Sequence, residues 1–533
     1  MRKNKFFILG IIALAAFTLG FISCDIESDS SSSSSRSYNE SVQRVVFAEN
    51  TATISFYNLN SNDIFLVKVN TTSNAMPAAS TGRALNVSLD LTKNEAVPSR
   101  SLLESQTRTL PQIGHPQAAK FSANPPPFTR SVARSAEYPV FNPAQLGDQR
   151  SFWVETVIDS GVWVQRTATL MATGRNGNIW IADGVRTPIS TAQARSLSER
   201  FDIIYPAATS LLGFEFGGGP GGHGGVDGDP KVQILVYDIN DTQGNPGVAG
   251  YFWAKDLFTQ AQLSSAGVSV RTNLAEIFYI DANVFTIAPD FIYSTLVHEL
   301  QHMINFNVKT ITHNIASETW YNEMLSMVAE DLISPKVGIN STNSGHPVQA
   351  RIPNFLEAYD RIGATEWLGG SSMEDISDQY GVTYAFGAYL VRNFGGPSLI
   401  REISLNNTIG IDSISSALFN VAGVTFEEAI SRFGEALIFS GNSRPGGGMS
   451  FDRTVSGSAG GTRYTAQAFD IWTMRQARNN RTGPAVYVLT PYSMRPHSVL
   501  VQSSNDWQNV SGSLSVTLER PANEGVELFL MVR

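Results

Sequence analysis

The chain has 533 residues, a formal net charge of −9 and one cysteine. The length exceeds what one hydrophobic core usually organises, and the acidic balance excludes a nucleic-acid partner, which calls for a basic surface. A lone Cys24 excludes an internal disulfide and any cysteine-built zinc or iron–sulfur site, so a metal would have to be held by His, Asp or Glu.

The N-terminus reads as an export signal, with Arg2, Lys3 and Lys5 ahead of the uncharged apolar run Phe6–Ile22 and then Ser23-Cys24. It resembles a bacterial lipoprotein signal, which implies cleavage after residue 23 and a lipid on Cys24. The polar stretch 24–37 contains an unbroken serine run from Ser30 to Ser35 and reads as a flexible tether. Short alternating runs at Val42–Phe47, Thr51–Tyr57 and Phe65–Val69 predict an N-terminal β module over 38–73. Arg, Ser and Pro then rise over 74–144, which reads as a linker or pro-region.

Strands are expected at Ser151–Val157, Val162–Met171 and Asn178–Ala182, with a hairpin signal at Asn176-Gly177. A helix is expected over Thr191–Leu212, and strands at Val232–Tyr237 and Glu276–Ile280. Between them, Gly217–Gly228 contains His223 but lacks a phosphate-binding spacing and reads as an exposed loop. Asp227, Asp229, Asp238 and Asp241 are oxygen donors of the kind calcium takes, but their spacing is not that of an EF-hand; they read as solvated loop carboxylates. From Pro289 helical apolar spacing dominates: Phe291–Lys309, Ser317–Ile333, Gln349–Ile362, Tyr380–Phe394 and Phe426–Phe439. Short strands return after Gly446. The expected layout is a catalytic domain over 145–445 and a C-terminal β module over 446–533. The fold class is α+β, a twisted sheet with an antiparallel edge followed by a helical half.

The informative segment is His298-Glu299-Leu300-Gln301-His302. Residues four apart share a helix face, so both imidazoles can reach one ion. Glu299 is then close enough to take a proton from a water polarised by zinc. Thr295, Leu296, Val297, Met303 and Ile304 mark a mostly buried helix, where such side chains are costly unless paired or metal-bound. A third ligand is needed. Glu323 is the candidate; Glu318, Glu330 and Asp331 are its rivals. Glu330, two turns after Glu323, fits the task of orienting a histidine. Ala275–Ile280 is a candidate for the sheet edge that pairs with extended substrate, or an ordinary strand.

These motifs resemble the gluzincins, zinc peptidases with two His and one Glu as ligands. Asn322-Glu323-x-x-Ser326 is similar to the thermolysin group, and Trp320-Tyr321-Asn322-Glu323 with Glu330 to the aminopeptidase N group. The overall match is to the hyicolysin family of bacterial metallopeptidases. It runs over His298–Phe306 and Thr319–Glu330, and more weakly over Lys231–Asp281 and Tyr380–Gly396. The resemblance implies a secreted or surface zinc endopeptidase with metal ligands His298, His302 and Glu323, and protein or peptide substrates. The spacing Tyr384-x-x-Gly387-Ala388 resembles the transition-state tyrosine of the aminopeptidase N group, which implies Tyr384 as oxyanion donor, with Tyr380 the alternative. The chain departs from the thermolysin pattern at Met327, where an acidic residue would orient a histidine. Two other functions compete: a zinc exopeptidase, for which no amine-binding Gly-x-Met-Glu-Asn loop is found, and a non-enzymatic surface lipoprotein or adhesin retaining a metal site.

Overall fold

The computed structural model describes residues 41–91, 114–128, 142–239, 247–370, 373–441, 448–479 and 481–533. The export signal, Cys24 and the serine tether lie outside the described residues, as does Asp241.

In chain order, β1 (Val42–Arg44), β2 (Thr51–Asn62), β3 (Ile64–Asn70) and β4 (Ala84–Leu91) precede a short helix α1 (Pro116–Ala123). Then come β5 (Gln149–Glu155), β6 (Trp163–Thr173), β7 (Gly177–Ala182), α2 (Thr191–Leu212), β8 (Val232–Tyr237), β9 (Gly250–Phe252), α3 (Gln260–Ser265) and β10 (Ile277–Asp281). The helical half follows: α4 (Ala282–Ile287), α5 (Pro289–Asn305), α6 (Thr319–Ile333), α7 (Pro347–Ala358), α8 (Met373–Asn393), α9 (Pro397–Leu405), α10 (Gly410–Ala422), α11 (Phe426–Ser431) and α12 (Phe433–Phe439). Strands β11 (Val455–Ala459), β12 (Thr462–Ala466), β13 (Val499–Gln502), β14 (Val510–Glu519) and β15 (Val526–Val532) close the chain. The class is α+β.

The central sheet has the order β5-β6-β7-β8-β10-β9. Strands β7, β8 and β10 run parallel, while β5, β6 and β9 pair antiparallel to their neighbours. Burial explains the sequence pattern. The parallel strands are covered on both faces and read as continuous runs, as in Val232-Gln233-Ile234-Leu235-Val236-Tyr237, every residue buried. Strand β5 alternates, since only one face is covered. Helix α2 crosses from β7 to β8; its capping box, Ser190 with Gln193, satisfies first-turn donors.

Of the two roles open to Ala275–Ile280, the structure shows that of an ordinary strand and not that of the sheet edge. Strand β10 lies inside the sheet between β8 and β9, and β9, only three residues long, is the edge.

The two terminal β modules expected as separate units interleave. One sheet has the order β1-β15-β3-β13 and another β2-β14-β4, so each contains strands from both chain ends. They enclose a common apolar cluster that includes Phe56, Leu66, Trp507, Leu514 and Leu530. Strand β3 is buried on both faces: Ile64 and Leu66 face that cluster, while Phe65, Val67 and Val69 join the main core. The stretch expected as linker or pro-region supplies β4 and α1, and Gly114 and His115 within it dock on β9 and β5 of the central sheet.

Candidate active site

Helix α5 begins with Pro289 at its first turn, where a missing N–H costs nothing. It carries His298, Glu299 and His302 into the interior: His298 and Glu299 are wholly buried and His302 is 9% exposed. A π-helical turn over Phe306–Thr312 prolongs it, and α6 returns antiparallel after a short connection. That return brings Glu323 to the histidines. Its Oε2 lies 3.1 Å from His298 Nε2 and 3.6 Å from His302 Nε2. One ligand atom from each of His298, His302 and Glu323 falls within 4.8 Å of the others, the one such group of three among the described residues. The rival Glu318 is turned away, hydrogen-bonded to the Trp320 indole N–H.

Glu330 answers the question that Met327 raised. One turn past Met327, its Oε1 lies 2.7 Å from His298 Nδ1, which leaves Nε2 as the atom aimed at Glu323. The Ser326 hydroxyl adds a contact 3.2 Å from His298 Nε2. Burial pushes the Glu323 carboxyl up, but the charge of His302 and the hydrogen bonds of both histidines overcome it and hold it at about 2. Burial pushes His298 down, and the carboxylates of Glu323 and Glu330 outweigh it, raising the imidazole to about 10.

Glu299 faces the sheet edge. Its Oε2 accepts from the Phe252 backbone N–H of β9 at 2.5 Å, while its Oε1 is buried with no hydrogen-bond partner. Burial raises its carboxyl above the ordinary range, against the pull of His298 and His302.

The structure does not bring Tyr384 to this group. Its hydroxyl donates to Asp331 Oδ2 at 3.1 Å, on a buried network shared with Arg392. One helical turn earlier, Tyr380 has its ring centre 6.3 Å from that of His298. Glu323, Glu299 and Glu330 all raise its hydroxyl, after burial itself, which places the phenol among the carboxylates of the site. Helix pitch explains the difference: every residue of α8 from Asp378 to Arg392 is buried, so both tyrosines read as equally internal in sequence. His346 sits at the start of α7, where its Nδ1 accepts from the Val348 N–H. His223 is exposed on the glycine loop, against Phe216.

Three contributors escaped the sequence reading. Strand β9 is too short for periodicity, although the aromatic run Tyr251-Phe252-Trp253 that begins in it was a signal of burial. Arg351 of α7 is buried and lays its guanidinium 4.8 Å from the Tyr380 ring centre, with Nε and Nη2 lacking partners. Gly114 donates its N–H to Gly250 O of β9.

The loop carboxylates are tied into the fold. Asp229 accepts from Asn178 and Gln233, and Asp238 from the Arg186 N–H. Asp227 is buried rather than solvated, with its carboxyl pushed up to about 7 by that burial.

Residues 166–460, more than half of the chain, match the peptidase M30 family. The chain belongs to that family. The chain is also 29% identical over 284 residues to the neutral metalloprotease ShpI of Staphylococcus hyicus, a match covering 51% of this chain and 57% of that protein. The chain thus spans little more than half the length of this curated relative. The hyicolysin resemblance read from the sequence is borne out. The M30 match runs from β6 to the β11–β12 hairpin, so it contains α5, α6, α7 and α8 whole and leaves out most of the terminal strands.

Proposed function

We propose that the protein is a zinc-dependent endopeptidase of gluzincin plan that acts outside the cytoplasm. The observation that carries this is the convergence of His298, His302 and Glu323 beside a buried Glu299 whose Oε1 has no partner. Two imidazole nitrogens and one carboxylate oxygen are a catalytic zinc donor set, with a position left for water. The fit extends outward at one histidine: Glu330 fixes which nitrogen of His298 is presented, while His302 turns Nε2 to Glu323 and its Nδ1 has no partner. A zinc ion held there would supply Lewis acidity to the attacking water and the scissile carbonyl.

The rest is the work of the chain. Glu299 Oε1 takes the proton of the attacking water and returns it to the leaving amine, while Phe252 N–H holds Oε2 in place. Burial and the raised carboxyl bring Glu299 closer to the range where a proton can be both accepted and released. The Tyr380 hydroxyl is the donor for the developing oxyanion, and Arg351 behind it adds positive charge. The outer rim of β9 offers backbone groups to an extended peptide. Extended pairing on β9, in a sequence with no Gly-x-Met-Glu-Asn loop for a free amine, favours endopeptidase over exopeptidase action. The basic, apolar, Cys24-terminated leader supports export, lipid anchoring in the bacterial cell envelope, and extracytoplasmic protein substrates. No helix among the described residues is long and apolar enough to cross a membrane.

The test combines metal analysis with cleavage of an end-blocked, internally quenched peptide. One zinc per chain, chelator-sensitive cleavage, and a loss of about a thousandfold or more in Glu299→Gln with zinc retained are expected. A folded protein that takes up no added zinc and cleaves neither peptide nor casein would make it a surface lipoprotein or adhesin instead.

A further inference from the structure

The rim of β9 that should receive substrate is already engaged. In an antiparallel pair, alternate residues turn their N–H and C=O away from the partner strand. Asp281 N–H bonds to Ala249 O, so Gly250 and Phe252, in register with Ile280 and Phe278, point outward. Two groups meet them there. Glu299 takes the Phe252 N–H, and Gly114 donates its own N–H to Gly250 O at 2.8 Å. On its other side, a Cβ built on Gly114 would stand 3.5 Å from the Tyr380 hydroxyl oxygen. Gly114 therefore lies between the substrate-pairing rim and the oxyanion donor, two residues along the same rim from the group that holds the general base.

The segment is anchored there. His115 is buried: its Nε2 lies 2.7 Å from Glu155 Oε2, and its ring stands 4.4 Å from Trp253 and 5.1 Å from Tyr251. Its Nδ1 accepts from the Gln117 N–H and starts α1. Phe121 packs on Phe258, and Phe128 on Phe216 and Phe258.

We infer that Gly114-His115 is a built-in occupant of the substrate groove, and that the full chain is held back until this segment leaves. The inference rests on the peptidase reading above. The segment is shaped to bind without being cut. Gly114 has φ +93°, a left-handed conformation that an L-residue in an extended substrate does not adopt. Pro116 follows at once and turns the chain into a helix, away from the rim. One backbone bond plus the His115 anchor occupies the groove, and no ordinary scissile strand is presented.

The experiment uses the full zinc-loaded chain and Gly114→Pro, which removes the N–H donor and cannot adopt φ +93°. Cleavage of the quenched peptide should rise about tenfold, the worth of one backbone hydrogen bond with its geometry. In both proteins stripped of zinc, amide exchange over 114–123 should be faster in the variant while β10 is unchanged. A synthetic peptide of residues 110–124 should raise KM of the variant and leave kcat unchanged. Zinc content of one per chain with unchanged or lower cleavage in a variant of normal melting temperature, and no effect of the peptide, overturns this inference alone. If the variant melts early, His115→Gln in the full zinc-loaded chain decides: it breaks the ion pair with Glu155 that anchors the segment, and cleavage that does not rise overturns the inference too. No zinc and no cleavage in any form overturns the peptidase reading, and this inference with it.

Discussion

Helix α6 carries two buried carboxylates side by side, and they end in opposite situations. Glu330 faces the His298 group, where Glu299 Oε1 and His302 Nδ1 lack partners. Asp331 faces away, and every oxygen it has is used: Arg392 takes both in a fork at 2.7 and 3.1 Å, and the Tyr384 hydroxyl adds a third bond. Arg392 spends its remaining donors on Gln467 O and Ala388 O. The carboxylates of the two clusters thus differ in saturation, although His346 Nε2 beside Asp331 also lacks a partner. The saturated one is a brace between α6 and α8, and the unsaturated one is poised for a ligand. Burial of charge alone does not mark a site; buried charge with atoms left over does.

Breaking the brace should have the largest effect on stability. Asp331→Ala strands the Arg392 guanidinium in the core, and removing one partner of a buried pair costs about 3–5 kcal/mol; chemical denaturation should show it, while added zinc does not restore the loss. His346 sharpens the same point by pH. Its Nε2 is 3.6 Å from Asp331 Oδ1, and burial, with Arg392 opposing Asp331, lowers it from the ordinary 6.5 to about 4. Below pH 6.5 the unfolded chain binds a proton that the folded chain refuses. Stability is therefore present above that pH and is lost as pH falls through 6.5 toward 4, by up to about 3 kcal/mol. His346→Asn keeps a capping oxygen for Val348 and should flatten this part of the pH–stability curve; an unchanged slope would reject the assignment.

Much of the site was legible because it is local. His298, Glu299 and His302 lie within one turn and a half of helix, and Glu323 and Glu330 lie on one face of the next. The helices α2 and α6 were legible from apolar spacing, while α9 and α10 were missed among polar and glycine residues. What failed is non-local. Whether Tyr380 or Tyr384 meets the site depends on how α8 is rotated against α6, and α8 is buried on every side from Asp378 to Arg392. The edge role of β9 follows from strand order, which a three-residue run does not announce. The joining of the chain ends is likewise invisible, since alternation shows a strand and not its partner: β15 slots between β1 and β3 across more than four hundred residues. The glycine of the linker region carried no local signal, because its meaning lies in what it touches.

On the unsaturated side, Glu330→Gln should weaken zinc affinity by about 10–100-fold, since the carboxylate both orients His298 and strengthens it as a donor. A competition titration with a chromophoric chelator reads this directly. Folding should be largely kept, because Gln retains a hydrogen bond to His298 Nδ1; an affinity equal to that of the parent would mean that the 2.7 Å contact is structural only.

The smallest stability change decides between the two tyrosines. Tyr384→Phe removes one of three bonds to Asp331, whose oxygens stay covered by Arg392, so the cost is about 1 kcal/mol with cleavage nearly unchanged. Tyr380→Phe should do the reverse: a small shift in melting temperature, and kcat lower by about a hundredfold with KM little changed, because an oxyanion donor acts in the transition state and not in the ground state. If instead Tyr384→Phe lost kcat at full stability, the brace would extend its function into the site through α8, and the spacing argument that pointed to Tyr384 would outrank the geometry that points to Tyr380. The two variants differ by one helical turn and one hydroxyl each, so nothing but the facing of α8 separates their outcomes.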